Sequence, residues 1–341
     1  MVLRAHVTEG KAGSIGPTWP PALTNSHRLR GIYPGVLATR RQSETFVDEI
    51  HRAQQANPDF SRISIRTFVT RDEHRRLGTR WNGVKVEGII PVDHVVAPGV
   101  DLVYLGHNDT RRTPDPAVFA NMLIANFGMV GQVQLSNPNL LMERVSARDY
   151  VVERLTRTTL RSKDIQDLVA LYHEALPVYM LEITPQTMRD LLDAPDNIFL
   201  VARNKSRIAS ALIAEHTTIE VDGKPVHLYE LSDFATFRAH QGNGLMTALQ
   251  VDAIRRIRSE HGDNAIVYAE DRAPWPAVAR SSLQAGLSLA GVLPSHVKIG
   301  GVKTFNEGVP DMETLLPVAL LPSGIVPPSP NAILALHGVS L

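Results

Sequence analysis

The chain has 341 residues, with 35 Lys plus Arg against 35 Asp plus Glu, 43% hydrophobic residues and no cysteine. That length is enough for two domains, each with its own core, and the zero net charge argues against nucleic acid or a membrane surface held through bulk charge. The lack of cysteine excludes disulfides, thiol nucleophiles and Cys-ligated zinc, and with no apolar run of membrane-spanning length a cytoplasmic location is expected.

Residues 1–30 are rich in Gly, Pro, Ser and Thr without periodicity and read as an extended arm. From Ile32 to about Asn137 strand and helix patterns alternate. Ser43 to Asn57 has a helical stripe of Phe46, Ile50 and Ala53, with Ser43 read as its N-cap. Ile63 to Val69 alternates like a half-buried strand. Thr70 to Leu77 is a short charged helix closed by Gly78. Val84 to Pro91 and Val100 to Leu105 are two more strands, and Ala117 to Phe127 is a helix. The polar stretch Ser136 to Asn139 marks the expected boundary, so the first domain spans 31–137.

Past that boundary, Tyr150 to Thr156 reads as a strand, Ser162 to Ala175 as a helix, and Thr184 to Leu192 as a helix capped by Thr184. Asn197 to Ala202 and Ile208 to Val221 form a hairpin, and Asp222-Gly223 is a tight turn into the next strand. That strand, Leu228 to Phe237, runs into a loop bearing Gly242 and Gly244. A helix from Leu245 to His261 follows, with Met246, Leu249, Ala253 and Ile257 on one stripe and Gly262 as its stop. A strand (Ala265 to Glu270), a helix near Pro276 and a strand pair from Leu289 to Ile299 complete the pattern. A Pro-rich tail, 317–341, ends it.

Strand, glycine loop and helix together present backbone N–H groups at a helix N-terminus to an anion. No Gly-Lys-Ser/Thr follows, so the loop is neither a Walker loop nor a dinucleotide fingerprint. Gln241-Gly242-Asn243-Gly244-Leu245-Met246 resembles the Gln/Arg-x-x-Gly-x-Gly/Ala signature with which GNAT-superfamily acyltransferases hold the pyrophosphate of acyl-CoA. Met246 departs from its last position. The run Glu230 to Thr236 resembles the strand before that loop in β-lysine N-acetyltransferases, and Val86 to Pro91 has an equivalent in their front region.

The resemblance implies an α/β chain with a mixed sheet: a GNAT fold over 145–316 behind a degenerate, GNAT-like α/β domain. It implies acetyl-CoA or another acyl-CoA as co-substrate, a small-molecule amine such as a diamino acid as acceptor, and no metal. Neither nucleic acid nor membrane is an expected partner, and a homodimer is the assembly left open. Backbone groups of Ala235, Thr236 and Phe237 would meet the pantetheine arm, and Gln241, Gly242, Asn243, Gly244, Leu245 and Met246 the pyrophosphate.

Acyl transfer to an amine also needs a base for the ammonium. Asp233 is the first candidate and Glu230 the second. Their odd spacing sends them to opposite faces of a regular strand unless a bulge intervenes. At the positions where the family places a Tyr acid and a CoA-facing Asn stand Ser282 and Ala279, and Leu287 follows Gly286. His240 and His296 are the imidazoles that could act instead. No zincin, nucleophile-elbow or metal pattern is visible. A binding module that kept the cradle and lost the acid is the alternative class.

Overall fold

Two mixed sheets carry the chain in a computed structural model that describes residues 28–58, 61–78, 80–81, 83–108, 116–177, 182–298, 312–321 and 324–339. The expectations for residues 1–27 and for the distal part of the late strand pair lie outside the described residues.

The first sheet contains β1 (Arg28–Leu37), β2 (Arg62–Thr70), β3 (Arg80–Trp81), β4 (Val84–Pro91) and β5 (Val100–Asn108), in the order β1-β2-β5-β4-β3. β1 and β2 are parallel and the remaining pairs antiparallel. The region read as an extended arm therefore ends earlier than expected, because Arg28 to Arg30 already pair in β1. Helix α1 (Arg40–Ala56) buries Phe46, Val47 and Ile50 against Ile63, Ile65 and Val103. Its cap is Thr39, in a capping box with Gln42, and not Ser43. Ser43 lies inside the first turn, where its hydroxyl reaches the Thr39 carbonyl and Glu73. Helix α2 (Arg71–Leu77) is capped by Thr70 and stopped by Gly78, as its sequence predicts.

Helix α3 (Pro116–Phe127) follows. The stretch Ser136 to Asn139 is not a free link. Asn137 accepts from the amides of Asn139 and Leu140 and caps α4 (Pro138–Ser146), a helix whose short stripe was not legible.

The second sheet contains β6 (Tyr150–Arg154), β7 (Ile198–Asn204), β8 (Arg207–Val221), β9 (Lys224–Thr236), β10 (Ala265–Arg272), β11 (Leu287–Leu289), β12 (Leu293–Lys298) and β13 (Met312–Leu320). Its order is β11-β13-β10-β9-β8-β7-β6, with β12 also on β13. Helices α5 (Asp164–Ala175) and α6 (Pro185–Asp193) join β6 to β7; α7 (Leu245–His261) joins β9 to β10; α8 (Pro276–Gln284) precedes β11. The succession β-α-α-β-β-β-α-β-α-β is the one expected from the sequence. In the tail, α9 (Pro330–Leu336) buries Ile333 and Leu334.

One face of the second sheet packs on α3, α4, α7 and α8 through Leu123, Leu249, Ala253, Val267 and Leu283. The opposite face is shared. Leu168, Leu171 and Tyr172 of α5 cover one part, and Phe68, Leu102 and Tyr104 of the first sheet cover another. The sheets also meet through the backbone: Ile89 N–H donates to Ala290 O at 2.8 Å and Val292 N–H to Glu87 O at 2.7 Å. A Cβ on Gly291 would sit 2.3 Å from Glu87 O, so only glycine permits this approach.

Candidate active site

Residues His227 to Leu231 of β9 pair with Ala265 to Ala269 of β10. Beyond that point β10 continues only on β13, while β9 runs on along β8 to Thr236. From Ser232 to Thr236 the edge of β9 that faced β10 carries no strand among the described residues. Such an edge offers N–H and C=O groups to an extended ligand.

This open edge leads into the glycine loop. A 3₁₀ turn, Arg238–His240, precedes Gly242 and Gly244, whose φ angles are 76° and 75°. Gly244 is the N-cap of α7 in the left-handed conformation, and no side chain caps the helix. The first-turn N–H groups of Leu245 and Met246 are thus left to an external acceptor. Asn243 braces the loop by donating to His240 O at 2.9 Å and accepting from Arg148 at 3.1 Å. Gln241 donates to Thr236 O at 3.4 Å, tying the loop back to the strand end. The backbone of Phe237 donates to Ala209 O, and Glu174 accepts from the Arg238 amide at 2.6 Å. His240 is engaged by the Tyr150 hydroxyl at 2.8 Å.

The other face of β9 carries acidic chemistry. Between Ser232 and Ala235 the register against β8 shifts, so Asp233 and Phe234 stand opposite one residue. Asp233 has φ 52°, a strained conformation that Asp tolerates better than most side chains. The bulge that would bring Glu230 and Asp233 to one face is present. The bulge turns Asp233 toward Glu215 and Tyr172, on the face that Glu230 also occupies.

Glu215 on β8 is directly across from Glu230, and its carboxylate accepts from the Ser232 hydroxyl at 2.5 Å. Glu215 is exposed, and the charged and polar groups that act around it come from both sheets and α5. The surrounding protein mass, then the charges of Asp233 and Glu230, push its carboxyl up to about 7. Glu230 behaves oppositely. Desolvation acts against its charge, yet Arg30 and Arg66 hold its carboxyl down to about 2. Arg30 donates to Glu230 at 2.8 Å and to Glu270 at 2.8 Å, and Tyr268 donates to Glu230 at 2.8 Å. Arg66 contacts the Tyr268 hydroxyl and lies 3.6 Å from Glu230. Tyr172 and Tyr268 are pushed further above the phenol range by burial and remain protonated.

His296 lies deeper, fully buried between the sheets. Its Nδ1 accepts from Arg62 at 2.9 Å, and Arg62 also forks onto Glu87 at 3.1 and 2.5 Å. Ser282, Ala279 and Leu287 are buried too. Ser282 faces Asp271, a carboxyl that burial raises to about 7. The structure thus brings Glu230 and Asp233 together and links His296 to them only indirectly: its Nε2 lies 3.6 Å from Glu270, which shares Arg30 with Glu230.

Glu215, Arg30, Arg66 and Tyr172 were not singled out as site residues from sequence. Glu215 could have been found from the hairpin: the Asp222-Gly223 turn fixes the register that sets it opposite Glu230. Arg30 and Tyr172 come from remote elements and left no local signal. The structure also corrects the expectation that no metal-ligating cluster exists, because His216, His227 and His261 converge with ligand atoms within 4.8 Å of one another.

No family model matches the sequence, and no curated protein matches it. Among solved structures the chain is similar to NAA60 of Arabidopsis thaliana in complex with a bisubstrate analogue. That match has a TM-score of 0.40 and 11% identity and covers 52% of this chain and 99% of that one. It is also similar to the ribosomal-protein-S18-alanine N-acetyltransferase of Escherichia coli, at TM-score 0.37 and 15% identity over 52% and 99% of the two chains. A third is the IAA acetyltransferase of Bacillus cereus, at TM-score 0.34 and 12% identity over 50% and 98%. Likeness at this level carries no chemistry across, so the function is argued from the site itself.

Proposed function

We propose that the protein is a CoA-dependent N-acyltransferase of GNAT type that acylates a small amine. The observation that supports this most is the continuity of the open β9 edge with the uncapped N-terminus of α7, beside a solvent-reaching carboxylate whose pKa lies near neutrality. In this reading the pyrophosphate of acetyl-CoA or another acyl-CoA sits on the amides from Gln241 to Met246. The pantetheine arm lies along Ala235, Thr236 and Phe237 as an added strand.

Glu215 is the general base. A carboxyl at about 7 is half ionised at neutral pH, which suits the removal of a proton from a bound ammonium. Asp233, at the bulge, holds that ammonium. Glu230 is bound up by two arginines and a tyrosine, so it shapes the cluster and keeps Arg30 and Arg66 in place. The freed amine attacks the thioester carbonyl, a C–N bond forms, and collapse of the tetrahedral centre breaks C–S. CoA then leaves as the thiolate and takes, through solvent, the surplus proton that the attacking nitrogen sheds as it becomes the amide. Two carboxylates in the cluster favour an acceptor that carries more than one positive charge, such as a diamine or diamino acid.

The test is CoA release from acetyl-CoA across a panel of amines, including lysine, β-lysine and simple diamines. Turnover with one of them, lost in Glu215→Gln while acetyl-CoA still binds, is the expected result. Undiminished turnover in Glu215→Gln overturns the assignment of the base, and absence of acyl-CoA binding overturns the whole reading.

A further inference from the structure

At the far end of α7 from the glycine loop, three imidazoles meet. His216 lies on β8, His227 on β9, and His261 is the last residue of α7. The helix has 17 residues, so at 1.5 Å per residue this cluster is about 25 Å from the cradle. The β8–β9 ladder sets His216 opposite Tyr229 and Thr218 opposite His227, which puts the two histidines diagonally on one face. The end of α7 then lays His261 over them. Ring centroids are 5.2 Å apart for His216 and His227, and 4.3 Å for His227 and His261. His216 Nε2 is 3.0 Å from His227 Nδ1.

A packed core has little reason to gather three polar rings, and surface histidines are seldom in mutual contact. Gathering them makes sense if one cation is to be shared. One nitrogen from each ring lies within 4.8 Å of the others. Around a tetrahedral zinc ion with Zn–N bonds of about 2.0–2.1 Å, such nitrogens are roughly 3.3 Å apart. Small rotations about the side-chain torsions close the difference.

The surroundings are those of a ligand set. All three histidines are part-exposed, so an ion can enter. Glu260 Oε1 is 3.6 Å from His261 Nε2 and is placed to act as a fourth or outer donor. The Tyr229 hydroxyl lies 2.8 Å from His261 Nε2, and Thr218 Oγ1 lies 3.3 Å from His216 Nε2 and His227 Nδ1, so hydroxyls engage these inward nitrogens until an ion displaces them. The acids Asp196 and Glu260 face His216, and Arg154 faces Tyr229 beside it. The helix C-terminus adds partial negative charge.

We infer that His216, His227 and His261 form a binding site for a divalent transition-metal ion of the zinc class, one that clamps the end of α7 onto the β8–β9 hairpin. Imidazole ligands select such ions over magnesium or calcium. The inference does not depend on acyl-CoA chemistry, and its failure would leave the proposed acyltransferase intact.

The test uses the full, tag-free chain stripped with a chelator and titrated calorimetrically with Zn²⁺. One ion per chain is expected, with a thermal midpoint that rises in Zn²⁺ and not in Mg²⁺. His227→Ala should weaken the site by at least about tenfold, since even second-layer partners of metal ligands are worth 10–100-fold. His261→Asn, at the part-exposed last residue of α7, should do the same while leaving the circular dichroism of the metal-free protein unchanged. Co²⁺ in the native chain should show the visible absorption of a four-coordinate centre, lost in either variant. Failure of the native chain to take up Zn²⁺ overturns the proposal, and so does equal uptake by His261→Asn.

Discussion

The open edge of β9 and one of its faces present opposite kinds of site. At the edge, the strand end, two glycines and a helix N-terminus form the proposed anion cradle from about fifteen consecutive residues. On the face, Glu215, Glu230, Asp233, Arg30, Arg66 and Tyr172 form a charged cluster from β8, β9, β1, β2 and α5. The cradle uses backbone groups, so its chemistry tolerates side-chain change but not a change in φ. The cluster uses side-chain charges that shift one another, so each member sets the behaviour of the next. The same strand therefore supplies a rigid site and a tunable one.

Breaking the cradle should have the largest effect. Gly244→Glu puts a side chain at φ 75° and a carboxylate where a phosphate would lie. Acetyl-CoA affinity should drop by at least about 100-fold, or roughly 2.7 kcal/mol. Equilibrium binding checks this, and retention of affinity would remove the cradle.

The cluster is tested next by Glu215→Gln, which should lower kcat by about 10²–10⁴-fold, the usual share of a general base. A base must be ionised to act, so native activity should be present above about pH 7 and decline below it. In the variant that acidic limb should vanish; a surviving limb would point to another base.

Arg30→Ala separates shape from chemistry in the same cluster. It leaves Glu230 and Glu270 without their shared cation and should cost about 3 kcal/mol. The Glu230 carboxyl should titrate well above about 2 once the guanidinium is gone. Urea unfolding and carboxyl NMR read the two effects separately.

Asp271, behind the strand, gives a test confined to stability and its pH dependence. Its carboxyl is raised from 3.8 to about 7 by burial, so the folded state holds its proton longer than the unfolded one. This contribution is neutral below about pH 4 and removes stability progressively as pH rises to about 7. Asp271→Asn should therefore stabilise the protein above pH 7, by at most about 4 kcal/mol, and do nothing near pH 4. Melting midpoints across that range decide it.

Most elements were legible because their signals are local. Thr70, Thr184, Gly78, Gly262 and Asp222-Gly223 act on the residues beside them, and the structure puts caps, stops and turn there. Thr39 replaced Ser43 as a cap because the capping box needs Gln42, which the hydrophobic stripe did not reveal. α4 was missed because a nine-residue helix with one buried residue, Val145, has almost no stripe. Whether Glu230 and Asp233 share a face turned on a bulge, which alternation along the sequence does not reveal.

The sequence by itself determined the glycine loop, the order of strands and helices from β6 onward, and the tight hairpin that aligns β8 with β9. Those follow from backbone conformation and short-range periodicity, which neighbouring residues fix. Tertiary structure alone decided that Arg30 would neutralise Glu230, that Glu215 would be left near neutrality, and that three histidines would meet at the end of α7. Charge regulation depends on distance and burial in space, and residues 200 positions apart, as Arg30 and Glu230 are, acquire both only when the two sheets pack.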